Sequence, residues 1–177
     1  MIKFNSEHDF EMFIYSNWES DSIDIITGDH YDQCERQFNI GSYGIPDLVF
    51  FGSDVEEDEN GFNEIKTVHV VELKNESIKI KDIAQIARYR TYFKRAFRGL
   101  NVNVKFSLVV PEGVKSNDDA CWISNALSDI SIYEFYLDPN SGISFDDKSG
   151  WYKTDEDFNT ALDLFGLKEE DRKDFDF

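Results

Sequence analysis

The chain is poor in cysteine, in long apolar runs, in histidine and in positive charge. Cys34 and Cys121 are the only cysteines in 177 residues, and they lie far apart. That excludes a disulfide framework or a zinc knuckle, and both read as ordinary reduced thiols. No run approaches the roughly 20 apolar residues that cross a bilayer, so no membrane partner is expected. The opening MIKFNSEHDFEMF carries acids where a signal peptide would be apolar, which predicts a cytoplasmic protein. His8, His30 and His69 are scattered and read as structural. Lys and Arg number 18 against 36 Asp and Glu, for a formal net charge of -18. Such a chain repels a polyanion at long range. No internal repeat or low-complexity tract appears.

What is present is a core. The hydrophobic fraction is 41%, with 16 phenylalanines, enough for one packed domain. Residues 6–18 predict a helix: Ser6 suits an N-cap, Glu7, Asp9 and Glu11 suit the first turns, and Phe10, Phe13, Ile14 and Trp18 form an apolar stripe. Extended segments follow around IDIITGDH and CERQFNIG, then the apolar run GIPDLVFFG at 44–52. SDVEEDENGFNEIK (53–66) reads as a solvated acidic hairpin connection turning at Asn60-Gly61. TVHVVELK (67–74) is nearly continuous in apolar character and suits a central strand covered on both faces. IKDIAQIARYRTYFKRAF (80–97) is the clearest helix, with Ile83, Ile86, Ala87, Phe93 and Phe97 inward and Lys81, Gln85, Arg88, Tyr92 and Arg95 on a polar face. NVKFSLVVPEG predicts a strand, 116–129 a helix and ISIYEFYLD a last strand. The order αβββαβαβ implies an α/β fold, a central mixed β-sheet flanked by helices. The composition shift near Pro139 divides the chain into a domain at 1–138 and an acidic C-terminal extension at 139–177, which packs on the core or on a partner.

Two apolar runs end in acids, Asp47 and Glu72. A carboxylate at the edge of a buried strand loses hydration and needs compensation. Lys74 can supply it, because it alternates with Glu72 on the same strand face. A divalent cation can also supply it. Two carboxylates at adjacent strand ends, with the backbone carbonyl of Leu73 as a further donor, suit Mg²⁺ or Mn²⁺. Burial and a neighbouring metal would both push the Lys74 pKa down, letting it hold or deprotonate an attacking water. Between Lys79 and Arg98 seven cations face only Asp82, a local +6 that leaves −24 on the rest of the chain. A basic face of that kind can hold phosphate at short range.

IPD at 45–47, ELK at 72–74 and QIARY at 85–89 resemble the signature of the PD-(D/E)XK nuclease superfamily, the last matching the Gln-x-x-x-Tyr motif of RecB-like members. Blocks over residues 6–137 are similar to the catalytic domain of NucS/EndoMS-like endonucleases. The resemblance implies a restriction-endonuclease-like core and metal-dependent hydrolysis of phosphodiesters in DNA. It implies Asp47, Glu72, Lys74 and a helix-1 glutamate as catalytic residues, with Gln85 assisting. Glu7 is the better match for that glutamate and Glu11 the alternative. Asp47, Glu72, Leu73 and Glu7 would hold the ion, and Lys81, Arg88, Tyr89 and Arg95 would contact nucleic acid. The chain departs from the family in lacking a separate N-terminal DNA-binding domain, in its acidic insert between Asp47 and Glu72, and in its negative charge. Two other readings follow from that charge: an acidic binding or inhibitor protein built on a nuclease fold, or a nuclease subunit of a larger complex. A homodimer is a further possible arrangement.

Overall fold

The computed structural model describes residues 4–20, 23, 31–58, 61–112, 129–138 and 142–147. Helix α1 spans Glu7–Asn17 and starts where expected: the Ser6 hydroxyl accepts the Asp9 N–H at 3.0 Å. Strands β1 (Tyr31–Arg36), β2 (Leu48–Asp58) and β3 (Gly61–Leu73) follow. Helix α2 covers Ile80–Ala96, and strands β4 (Val102–Pro111), β5 (Ile130–Asp138) and β6 (Gly142–Asp147) complete the described elements. The helix expected at 116–129 lies outside the described residues except for Asp129, as do His30, Cys121, Trp122 and Trp151.

One six-stranded sheet runs in the order β1-β2-β3-β4-β5-β6. β3 pairs with β4 and β4 with β5 in parallel, and the other neighbours are antiparallel, so the sheet is mixed. Two parallel neighbours need a crossover, and α2 supplies it between β3 and β4. β3 is central, as its composition predicts. Val68 and Val70 pack with Ile83, Ile86 and Phe93 of α2, while Val71 and Leu73 pack with Phe10 and Ile14 of α1. Period-two alternation sends successive side chains to opposite faces, so each helix closes one face. Each fully buried large side chain in these clusters contributes roughly 1.5–3 kcal/mol relative to exposure.

Two segments carry more strand than expected. The acidic hairpin connection at 53–66 is paired for most of its length. β2 and β3 stay in register from Leu48↔Val71 out to Asp58↔Gly61, and the ribbon leaves Val55 and Phe62 exposed. Backbone pairing needs no apolar alternation, so the acids concealed how far the ladder runs. The sheet also continues past 138. Ile143 and Phe145 of β6 are buried against the α1-side cluster, two residues apart on one strand face. The drop in hydrophobic content near Pro139 masked this short amphipathic strand, which belongs to the same sheet as the core.

Candidate active site

The chain enters β2 through a constrained loop. The Gln37 N–H donates to the Asp47 carbonyl at 2.9 Å, and the Ile40 N–H donates to the Gly44 carbonyl at 3.0 Å. Gly44 has φ +122, a backbone region that favours glycine. It is also pressed by Tyr89: a Cβ there would stand 2.9 Å from Tyr89 Cε1. Tyr89 is fully buried, its hydroxyl donating to the Ile45 carbonyl at 3.0 Å and accepting from Gln85 Nε2 at 2.6 Å. α2 therefore braces the loop that delivers Asp47.

Asp47 is held at both oxygens. Oδ2 accepts the Leu73 N–H at 2.8 Å and Oδ1 accepts Gln37 Nε2 at 3.2 Å. Glu72, on the last turn of the β3 pleat, is 1% exposed. Its Oε1 lies 2.6 Å from Lys74 Nζ, while its buried Oε2 has no hydrogen-bond partner among the described residues. Lys74 Nζ also reaches Glu7 Oε1 at 3.3 Å. Burial pushes the Asp47 carboxyl up to about 6, against the opposing pull of the Leu73 N–H and Lys74. Burial and then the charge of Asp47 push Glu72 up to about 8, despite Lys74. Burial acts on Lys74 in the expected direction, and without a metal ion the neighbouring carboxylates act against it. Burial lowers its pKa, but the carboxylates of Glu72, Asp47 and Glu7 more than offset that, so it is held as an ammonium.

Glu7, Asp47, Glu72, Lys74, Lys81 and Gln85 all line one cleft of about 410 Å³. Six expected site residues from four parts of the chain thus meet. Arg88 and Arg95 do not line it; they continue outward along the exposed face of α2. The sequence reading of Tyr89 as a nucleic-acid contact is corrected. At Ile86+3 and Phe93−4 it belongs to the apolar stripe, and its ring has no exposed surface to offer a ligand. Glu11 does not line the cleft. It is buried, with Oε1 2.6 Å from Arg36 Nε and Oε2 accepting from Gln37 Nε2 at 2.9 Å. Gln37 itself lines the cleft and was not legible as a site residue, since one polar side chain in an extended segment carries no periodic signal.

The basic segment is less free than its sequence suggests. Lys79 pairs with Glu76 at 2.6 Å, and Arg90 and Lys94 both pair with Asp129. Lys81, Arg88 and Arg95 make no ion pair among the described residues, and they recur every seven positions on one face. His69 is buried, with Nε2 2.7 Å from Ser107 Oγ, a structural role. Cys34 is buried, its thiol pushed up to about 12 by burial and then by Glu35, which makes it inert. No helix among the described residues is long and apolar enough to cross a membrane.

The residues present suit a hydrated divalent ion better than a caged one. Among the described residues no group of three His, Cys, Asp or Glu side chains is arranged to hold a metal. Glu7, expected as a third ligand, is instead engaged by Lys74 and is half exposed. Two mutually repelling carboxylates remain, one with a buried oxygen awaiting a partner. Mg²⁺ is commonly bound by one or two carboxylates while keeping several waters, and this donor set fits that mode.

No family model matches the sequence, and no curated protein matches it. Two solved structures are similar. One is a repair endonuclease from Pyrococcus abyssi, 19% identical over 76% of this chain and 48% of that one, with a TM-score of 0.48. The other is an EndoMS complex with double-stranded DNA, 18% identical over 64% of this chain and 40% of that one, with a TM-score of 0.38. The chain spans about half the length of the first. At that identity and overlap the likeness does not by itself assign an activity to this chain.

Proposed function

We infer that the chain is a metal-dependent nuclease of the PD-(D/E)XK type that hydrolyses phosphodiester bonds in DNA. The observation that carries this reading is the meeting of Asp47, Glu72 and Lys74 in one cleft, with Glu72 Oε2 buried and without a hydrogen-bond partner among the described residues. A structural ion pair would use both carboxylate oxygens or leave the spare one in water. The IPD, ELK and QIARY motifs support the same reading.

Asp47 and Glu72, with the Leu73 carbonyl as a candidate third donor, would hold Mg²⁺ or Mn²⁺. A bound divalent ion supplies positive charge at the scissile phosphate. Lys74 acts as a fixed ammonium. It donates hydrogen bonds that orient the attacking water or a phosphate oxygen. Glu7 steadies that ammonium from the cleft mouth. Gln85 presents its amide to the cleft while Tyr89 fixes its rotamer. Lys81 at the cleft and Arg88 and Arg95 beyond it grip successive backbone phosphates. The two arginines and the lysine span about 21 Å of helix at 1.5 Å per residue, a length of several nucleotides.

The test incubates purified protein with supercoiled plasmid, single-stranded DNA and RNA, each with Mg²⁺, Mn²⁺ or chelator. Cleavage of DNA that needs the metal and disappears in Asp47→Asn is the expected result. Intact DNA under every condition overturns the reading. Intact DNA together with recovery of a bound basic protein instead supports the acidic inhibitor, which the −24 outside the helix segment favours.

A further inference from the structure

Gln37 stands out as the one non-glycine residue with positive φ among the described residues, at 52°. Left-handed backbone is disfavoured for a side chain of this size, and strain of this kind persists where the surroundings over-determine it. The surroundings here are specific. One side-chain nitrogen, Nε2, donates to Asp47 Oδ1 at 3.2 Å and to Glu11 Oε2 at 2.9 Å. The backbone N–H of the same residue donates to the Asp47 carbonyl at 2.9 Å. Glu11 is anchored in turn by Arg36 and is buried in α1. Asp47 is thereby clamped from two sides, by the Leu73 N–H on β3 and by an amide bridge to α1.

We propose that Gln37 is a positioning residue: its amide, strung between Glu11 and Asp47, fixes the Asp47 carboxylate toward the cleft and couples site geometry to the docking of α1. The inference rests on the reading of Asp47 as a metal-holding carboxylate. An amide suits this point. Glu11 and Asp47 are both acids that would repel at close range, and one amide nitrogen with two N–H donors bridges them without adding charge. A carboxylate at 37 would put a third negative group between them, and an aliphatic chain would leave Asp47 Oδ1 without its donor. Groups behind a ligand that set its orientation change metal affinity or activity by about 10- to 100-fold when removed.

The test uses the full chain and two variants, Gln37→Met and Gln37→Gly. Methionine keeps length and volume but removes the amide. Glycine removes it too, yet suits the left-handed backbone, so it relieves strain. Mn²⁺ affinity is read by calorimetry, beside the thermal unfolding midpoint without metal and the rate of DNA cleavage. Positioning predicts that both variants bind Mn²⁺ about 10- to 100-fold more weakly, and that Gln37→Gly does so with a metal-free midpoint equal to or above wild type. A merely structural role predicts that affinity follows the midpoint, so that Gln37→Gly binds like wild type; that result overturns the proposal. Asp47→Asn separates the two levels. If it abolishes Mn²⁺ binding while both Gln37 variants bind normally, Gln37 is not a positioning residue and the nuclease reading stands. If Asp47→Asn binds Mn²⁺ as wild type does, the metal site itself is misassigned and the proposal falls with it.

Discussion

Glu72 and Lys74 form the most consequential pair. Glu72 is nearly inaccessible and Lys74 is mostly buried, so each depends on the other for compensation. Removing one partner of such a pair typically costs about 3–5 kcal/mol, because it strands a buried charge. At pH 9, where Glu72 is ionised, Lys74→Met should therefore lower the unfolding free energy by about 3 kcal/mol, and adding Glu72→Gln to it should recover much of the loss; urea denaturation of the single and double variants checks this. Equal stability of the two would mean that Lys74 does not compensate Glu72. The raised carboxyls also set a pH dependence. Asp47 near 6 and Glu72 near 8 lie above the ordinary values of 3.8 and 4.5, so the folded chain binds more protons than the unfolded one between those limits. Stability must then fall as pH rises from about 5 to 8. The raised Lys74 contributes stability that is constant over that window, because both its folded and unfolded states are protonated there. With chelator present, the unfolding free energy of wild type should fall steadily across the window. Asp47→Asn with Glu72→Gln should flatten the slope, and an unchanged slope would assign the pH dependence to other groups.

At the scale of elements, α2 joins two tasks through one residue. Its buried stripe closes the sheet, and Tyr89 within that stripe holds the loop before β2 by hydrogen bond and by contact with Gly44. Gly44→Ala adds a Cβ at an unfavourable φ and into the Tyr89 ring. It should cost about 1–3 kcal/mol and weaken cleavage together with stability. Tyr89→Phe keeps the ring and removes only the hydroxyl, so it should cost about 1 kcal/mol and free the Gln85 amide. Thermal unfolding with a cleavage assay on both variants tests the brace; wild-type behaviour of Gly44→Ala would remove it. The sequence made α1, α2 and the apolar halves of β2 and β3 legible, because period and capping agree there. It did not reveal how far the outer ribbon stays paired, because acids interrupt its few apolar residues, or β6, whose two inward residues are too few to set a pattern. Tyr89 was misplaced because a motif match outweighed its position in the apolar stripe. Asp47, Glu72, Lys74 and Gln85 were legible because strand and helix spacing carry them to one cleft. Gln37 and the Glu11–Arg36 anchor were not, since only the tertiary fold brings α1 to the loop.

The whole molecule carries −18, so any grip on nucleic acid must be local. Lys81, Arg88 and Arg95 are the cations of α2 without an ion pair among the described residues. Three phosphate contacts release about three counterions. The logarithm of the DNA association constant should then fall with the logarithm of salt concentration at a slope of about −3. Arg88→Ala should shallow that slope by about 1, measured by fluorescence anisotropy with the cleavage-deficient Asp47→Asn chain. A slope near zero would place the binding surface elsewhere, and a slope unchanged by Arg88→Ala would remove that residue from it. The surrounding negative field opposes binding most at low ionic strength, where the repulsion is least screened.

Single-turnover cleavage of labelled DNA in Mn²⁺, by wild type and by an identically purified Asp47→Asn chain, tests the central claim most directly. The account predicts scission by wild type, silence with chelator, and a loss of at least about 100-fold in the variant. Equal rates from the two preparations, or no scission by wild type in any metal, would contradict it.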